Sequence, residues 1–200
     1  MKYFLVILPL LISAQAVCAQ HMNHQMPSPS EKNIFLVMMD TMMAKMDNVP
    51  EEQSAEANFI LQMIPHHEGA IEMAKYEIQH GSDFTMIQLA KSILAEQNIE
   101  VHQMKLWLKS STSGTIKATD LFQQDMNQAM NTMMQNLPAK NTLTNTDRAF
   151  AGVMMPHHQA AVDMARVIIR FTKDQQTIAF AKHIISSQQI EVEQMSSFLK

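Results

Sequence analysis

Met63-Ile64-Pro65-His66-His67-Glu68-Gly69-Ala70-Ile71-Glu72-Met73-Ala74-Lys75 returns later in the chain as Met154-Met155-Pro156-His157-His158-Gln159-Ala160-Ala161-Val162-Asp163-Met164-Ala165-Arg166. The offset is 91 residues. It carries Phe59–Lys109 onto Phe150–Lys200 without a gap, with 22 of 51 positions identical. A second block pairs Gln97-Asn98-Ile99-Glu100-Val101 with Gln188-Gln189-Ile190-Glu191-Val192, and the Met-rich stretch from Met39 to Met43 falls on that from Met130 to Met134. Self-similarity over such a period marks a tandem duplication of one supersecondary unit.

Each copy reads as three helices. In the first, a helix is expected from about Glu31 to Asp47 behind Ser30 as N-cap, with its counterpart starting near Asp120 behind Thr119. The second begins between Pro50 and Ser54 and stops at Gly81, a C-terminal cap. The third starts behind Ser82 and runs to Lys109, with Ala90, Ile93, Leu94, Gln97, Val101, Met104 and Leu108 recurring at the helical period. No run alternates with period two, so no sheet is expected. The fold class is all-α, two tandem three-helix repeats.

The segments outside the repeats have their own composition. Lys2, the apolar run Tyr3 to Ile12 and Val17-Cys18-Ala19 have the order of a secretory signal, so residues 1–19 are expected to be a signal peptide. Residues 20–30 read as a flexible His/Met tail, 31–109 as the first repeat, 110–118 as a small polar linker and 119–200 as the second repeat. No later run is long and apolar enough to span a bilayer, so no membrane is expected as partner after the signal is removed. Beyond the signal there are 14 basic and 19 acidic residues and no Lys/Arg run, which argues against nucleic acid. The single Cys18 lies within the signal, leaving neither disulfide nor thiolate ligand beyond it.

Methionine is the compositional signal. Beyond the signal there are 19 Met against 10 Leu, whereas Leu is ordinarily the commonest apolar residue. Met specifies a core poorly because its chain is flexible. Its thioether does bind soft ions such as Cu(I). The stripe Met39, Met42, Met43, Met46 and its counterpart Met126, Met130, Met133, Met134 follow helical spacing and read first as core.

On a helical wheel Met63, His66, His67, Ala70, Met73 and Ala74 share one face, with Glu72 opposite. Two imidazoles and two thioethers beside two small residues would let a neighbouring helix help grip an ion. Pro65 leaves two geometries open, a kinked helix or a fresh helix start with the histidines in its first turn. A bland alternative is a kinked helix whose histidines only cap backbone or pack in the core. The recurrence of the whole pattern favours ligation, with Met63, His66, His67 and Met73 in one copy and Met154, His157, His158 and Met164 in the other. Gln97 and Gln188, central in an apolar stripe, either orient an imidazole or bond across the bundle. Glu100 and Glu191, at the edge of the same stripe, are either ligands or boundary charges and read first as boundary charges, and His80, His102 and His183 read as surface residues. His21, Met22, His24 and Met26 alternate imidazole and thioether and are candidate accessory ligands.

Thioether plus imidazole without thiolate suits copper, as Cu(I) or Cu(II), better than zinc. A di-iron site needs Glu-x-x-His from paired helices, and Glu77-x-x-His80 has only Ile168 and Phe171 as its counterpart.

The block Met-Ile-Pro-His-His-x-Gly-Ala-Ile-x-Met-Ala resembles the signature of the domain of unknown function 305 family, which includes CopM-like periplasmic copper-binding proteins. The resemblance covers most of each repeat and implies a ferritin-like helical bundle, with copper binding linked to copper resistance in characterised members. It falls on the same eight Met and His positions; the second copy departs from it with Ala160 at the Gly position. The expected function is that of a periplasmic protein, not an enzyme, that sequesters copper or transfers it, with copper ion and a periplasmic copper-handling protein as expected partners. The alternatives are a ferritin-like metal oxidase and a metal-free helical interaction module.

Overall fold

The computed structural model describes residues 33–52, 54–109 and 117–200. The expected signal, the tail with His21, Met22, His24 and Met26, and most of the linker lie outside the described residues. Among the described residues six helices follow in order: α1 Ile34–Asp47, α2 Ala55–His80, α3 Phe84–Lys109, α4 Asp120–Gln135, α5 Thr146–Phe171 and α6 Gln175–Leu199. A short 3-10 turn, Lys140–Thr142, precedes α5. No strand occurs among the described residues, and none of their helices is long and apolar enough to cross a membrane.

Local chemistry sets the helix starts. The side chains of Ser54, Thr119, Asn145 and Asp174 each accept a hydrogen bond from a backbone N–H in the first turn of α2, α4, α5 and α6. The first helix starts later than expected. Asn33, not Ser30, is its N-cap, taking the N–H of Phe35 on Oδ1, and Ile34 is the first helical residue. The start of α3 is likewise capped by Asp83, whose Oδ1 accepts from Met86 N. Gly81 closes α2 as expected, although its φ of −68° is one any residue adopts. Its lack of a side chain matters for space: a Cβ there would run into the Glu77 carboxyl.

Helices α1 and α3 flank α2, α4 and α6 flank α5, and α2 packs on α5. The last contact is antiparallel, since Ser82 at the end of α2 meets Asp147 at the start of α5, while Glu56 at the start of α2 meets Thr172 at the end of α5. Asp147 and Glu56 occupy equivalent places in the repeat, so each half fastens the other through a related residue. The halves are thus related by an approximate two-fold that crosses the middle of α2 and α5. Phe35 of α1 packs on Phe150 of α5 with ring centroids 5.9 Å apart, and Trp107 of α3 meets Phe180 of α6 edge-on at 5.0 Å, so one core runs through both halves.

The methionines fill that core. Met39, Met42, Met46, Met63, Met73, Met86 and Met104 are buried in the first half, and Met126, Met130, Met133, Met154, Met164 and Met195 in the second. The stripe of α1 and α4 is core at Met39, Met42, Met46, Met126, Met130 and Met133, with Met43 and Met134 partly buried at its edge.

Candidate metal centre

Pro65 and Pro156 lie inside unbroken helices of 26 residues each, so the histidines sit at mid-helix and not in a first turn. Proline lacks the N–H that would bond four residues back. The face expected from the wheel is the buried one: Met63, His66, His67, Ala70, Met73 and Ala74 are all 0 % exposed, while Glu72 is in solvent. Met154, His157, His158, Ala161, Met164 and Ala165 are equally buried.

The duplicated pairs, read from sequence as two similar sites, meet where α2 crosses α5. The rings of His66 and His157 stack at a centroid distance of 3.8 Å and an angle of 34°. His67 stands 6.2 Å from His66, and His158 stands 5.8 Å from His157. Four imidazoles therefore form one cluster at the approximate two-fold axis.

Hydrogen bonding fixes which nitrogens are available. His157 Nε2 lies 3.1 Å from the carbonyl oxygen of His66, and because a carbonyl only accepts, that nitrogen carries the proton. In the neutral ring the lone pair is then on Nδ1. His67 Nε2 donates to Glu100 Oε2 at 2.9 Å, again leaving Nδ1. His158 Nε2 stands at the same 2.9 Å from Glu191 Oε2, but its N–H is turned off the line to the oxygen. Nδ1 of His67, His157 and His158 and both nitrogens of His66 are buried without a hydrogen-bond partner. Burial, and then the charges of neighbouring histidines, hold His66 and His157 well below the ordinary imidazole value. Both rings are accordingly neutral near pH 7, the form that ligates a metal.

Glu100 and Glu191, expected as boundary charges, are buried and face the histidines. A carboxylate on the far ring nitrogen is the usual support of a ligating histidine, because it fixes the tautomer and makes the other nitrogen more basic. That is the place considered for Gln97 and Gln188; Glu100 occupies it in a hydrogen bond to His67, and Glu191 stands 2.9 Å from His158. Both Gln amides are buried with neither amide atom in a hydrogen bond. The sequence marks both carboxylates, three residues after each Gln at the edge of the apolar stripe, but that position does not tell a boundary charge from a buried partner of His67 and His158.

The two copies differ where the pattern departs from itself. A Cβ on Gly69 would meet Met42 Cγ at 2.8 Å and Sδ at 2.9 Å, so Gly69 lets α1 press against α2. Ala160 is its counterpart. There a groove of about 310 Å³ opens between α4 and α5, lined in part by Ala129, Met133, Met155 and Ala160.

The family model described as Domain of unknown function (DUF305) matches twice, over residues 10–108 and 105–199. The chain belongs to the DUF305 family. Among solved DUF305-like structures it is similar to CopM in the Ag-bound form obtained by soaking, at 30% identity and a TM-score of 0.55, covering 74% of this chain and 96% of that one. CopM in the Cu(I)-bound form matches at 30% identity and a TM-score of 0.55, covering 72% of this chain and 94% of that one. A DUF305 fragment from Deinococcus radiodurans shares the fold at 22% identity and a TM-score of 0.53, over 75% of this chain and 98% of that one. An uncharacterized protein, L153, of Acanthamoeba polyphaga mimivirus is 40% identical over 53 residues, which is 26% of this chain and 35% of that protein.

Proposed function

We propose that this DUF305 protein captures copper outside the cytoplasm and sequesters it or passes it to a copper-handling protein, contributing to copper tolerance. The observation that carries the reading is the convergence of four buried histidines, with ring nitrogens free of hydrogen bonds, from both repeats. Methionines 63, 73, 154 and 164, buried on the same helix faces, supply the soft thioether surroundings. Neutral imidazole and thioether together suit Cu(I), and imidazole also accepts Cu(II). The similarity to CopM, solved with Cu(I), Cu(II) and Ag, supports the same choice of ion. Because the histidine pairs are joined, the cluster acts as a shared centre.

The role is binding, without turnover. Purified protein offered Cu(I), Cu(II), Zn(II) and Fe(II) in competition is expected to retain Cu(I) in fixed stoichiometry, with no sustained oxygen consumption. Replacing His66, His67, His157 and His158 together by Gln should abolish tight Cu(I) retention while circular dichroism still reports a helical fold. Unchanged affinity and stoichiometry in that variant would mean that the ions sit elsewhere. An N-terminal export signal is part of the proposal, and an N-terminus beginning near Gln20 on the exported protein is its check.

A further inference from the structure

We infer that the α3–α6 face carries a second, harder metal site, formed by Glu96, Glu100 and His183, that takes a borderline divalent cation such as Zn(II) or Cu(II). One ligand atom from each of the three lies within 4.8 Å of the others. His183 Nε2 is 3.3 Å from Glu96 Oε1 and 3.7 Å from Glu100 Oε1. Those separations are long for N–H···O hydrogen bonds, which cluster near about 2.9–3.0 Å. They suit the edges of a tetrahedron around one ion, since ligands about 2.0–2.1 Å from zinc stand roughly 3.3 Å from each other.

A second observation distinguishes this cluster from a chance group of surface charges. Glu100 is only 4 % exposed, and its Oε1 is buried with no hydrogen-bond partner while facing this group. Its other oxygen holds His67. An unpaired oxygen of a buried carboxylate is costly, and a bound cation satisfies it. Glu96 and His183 reach solvent, so an ion can enter and a water can complete the coordination.

The donors also set the ion class. Two carboxylates and one imidazole, with no sulfur, favour Zn(II) or Cu(II) over Cu(I). The approximate two-fold does not repeat the site, because Ser187 stands where Glu96 would recur and Ser92 where His183 would recur. One such ion per chain follows. The site stands whether or not the histidine cluster takes copper, and Glu100 joins the two.

The test uses the exported chain without its signal, titrated with Zn(II) alone by calorimetry and separately with Ag(I) as a stable Cu(I) mimic. Wild type is expected to bind one Zn(II) at this face, and His183→Ala and Glu96→Gln should each weaken it at least tenfold. Both positions are solvent-exposed enough for the fold to survive, and Ag(I) binding should stay as in wild type. Zn(II) should also shift the His183 ring resonances in wild type and leave them in place in Glu96→Gln. Zn(II) affinity unchanged by both substitutions, or no Zn(II) bound by wild type, would overturn the site. Loss of Ag(I) binding only in the four-histidine variant bears on the copper proposal and not on this one.

Discussion

At the scale of single residues, the departures between the repeats say most. Gly69 is required by contact, because its missing Cβ is the space that Met42 fills. Gly69→Ala gains about 1 kcal/mol of helix propensity. It also overpacks a contact reaching back to Met42 Cβ, which typically costs about 1–3 kcal/mol. The expected outcome in urea denaturation is a net loss of about 1 kcal/mol that Met42→Ala partly cancels, a coupling absent between Ala160→Gly and Met133→Ala. Glu77 offers a pH test. Burial, and then hydrogen bonding and repulsion from Asp147 with repulsion from Asp83, raise its carboxyl from 4.5 to about 8. A raised acid stabilises the fold fully below about 4.5, and this contribution falls as pH rises through 8. Glu77→Gln should therefore gain on wild type steadily from pH 5 to pH 8, by up to a few kcal/mol at about 1.4 per pH unit. Thermal-melt profiles that stay parallel across that window would show that Glu77 is not held protonated.

At the scale of elements, each half is tied at its ends to the other. Asp147 Oδ1 accepts from the backbone N–H groups of Ser82 and Asp83, and Oδ2 from the Ser82 hydroxyl. Burial pushes Asp147 up, but these hydrogen bonds outweigh it and bring the carboxyl to about 2. Its related residue Glu56 accepts, among the described residues, one bond, from the Thr172 hydroxyl at 2.6 Å. Asp147→Ala should cost more than Glu56→Ala, about 2–4 against about 1–2 kcal/mol, since bonds to charged groups count most and buried donors are left behind. Equal losses in denaturant midpoints would argue against the asymmetry. The helices themselves were legible from sequence, because caps such as Ser54 and Thr119 and the period of α3 are local signals. Asn33 displaced Ser30 because two polar residues compete for one cap, and the hydrophobic run from Ile34 decides between them. Glu100 reads as a boundary charge in sequence because its pairing with His67 depends on the rotation of α3, 33 residues away along the chain.

At the scale of the whole molecule, the duplication was plain in the sequence but its purpose was not. A gapless 91-residue offset foretells two like halves. It carries nothing about where α2 and α5 cross, and only the crossing turns two His-His pairs into one cluster. The same crossing lets the copies differ at their edges, as at Ser92 and His183, while the centre stays matched.

The complete burial of His66, His67, His157 and His158 has a kinetic consequence. A chelator is expected to reach an ion held there only once α2 and α5 part, and parting them loosens end-ties that belong to both halves. Departure is then a first-order event of the protein, timed by its own opening. Stopped-flow removal of Cu(I) should reach a plateau rate as chelator concentration rises, and Asp147→Ala should lift that plateau. A rate that climbs linearly without limit would place the ion within reach of solvent. On the proposed copper-binding role, such a built-in delay would set how long cargo stays aboard between capture and delivery.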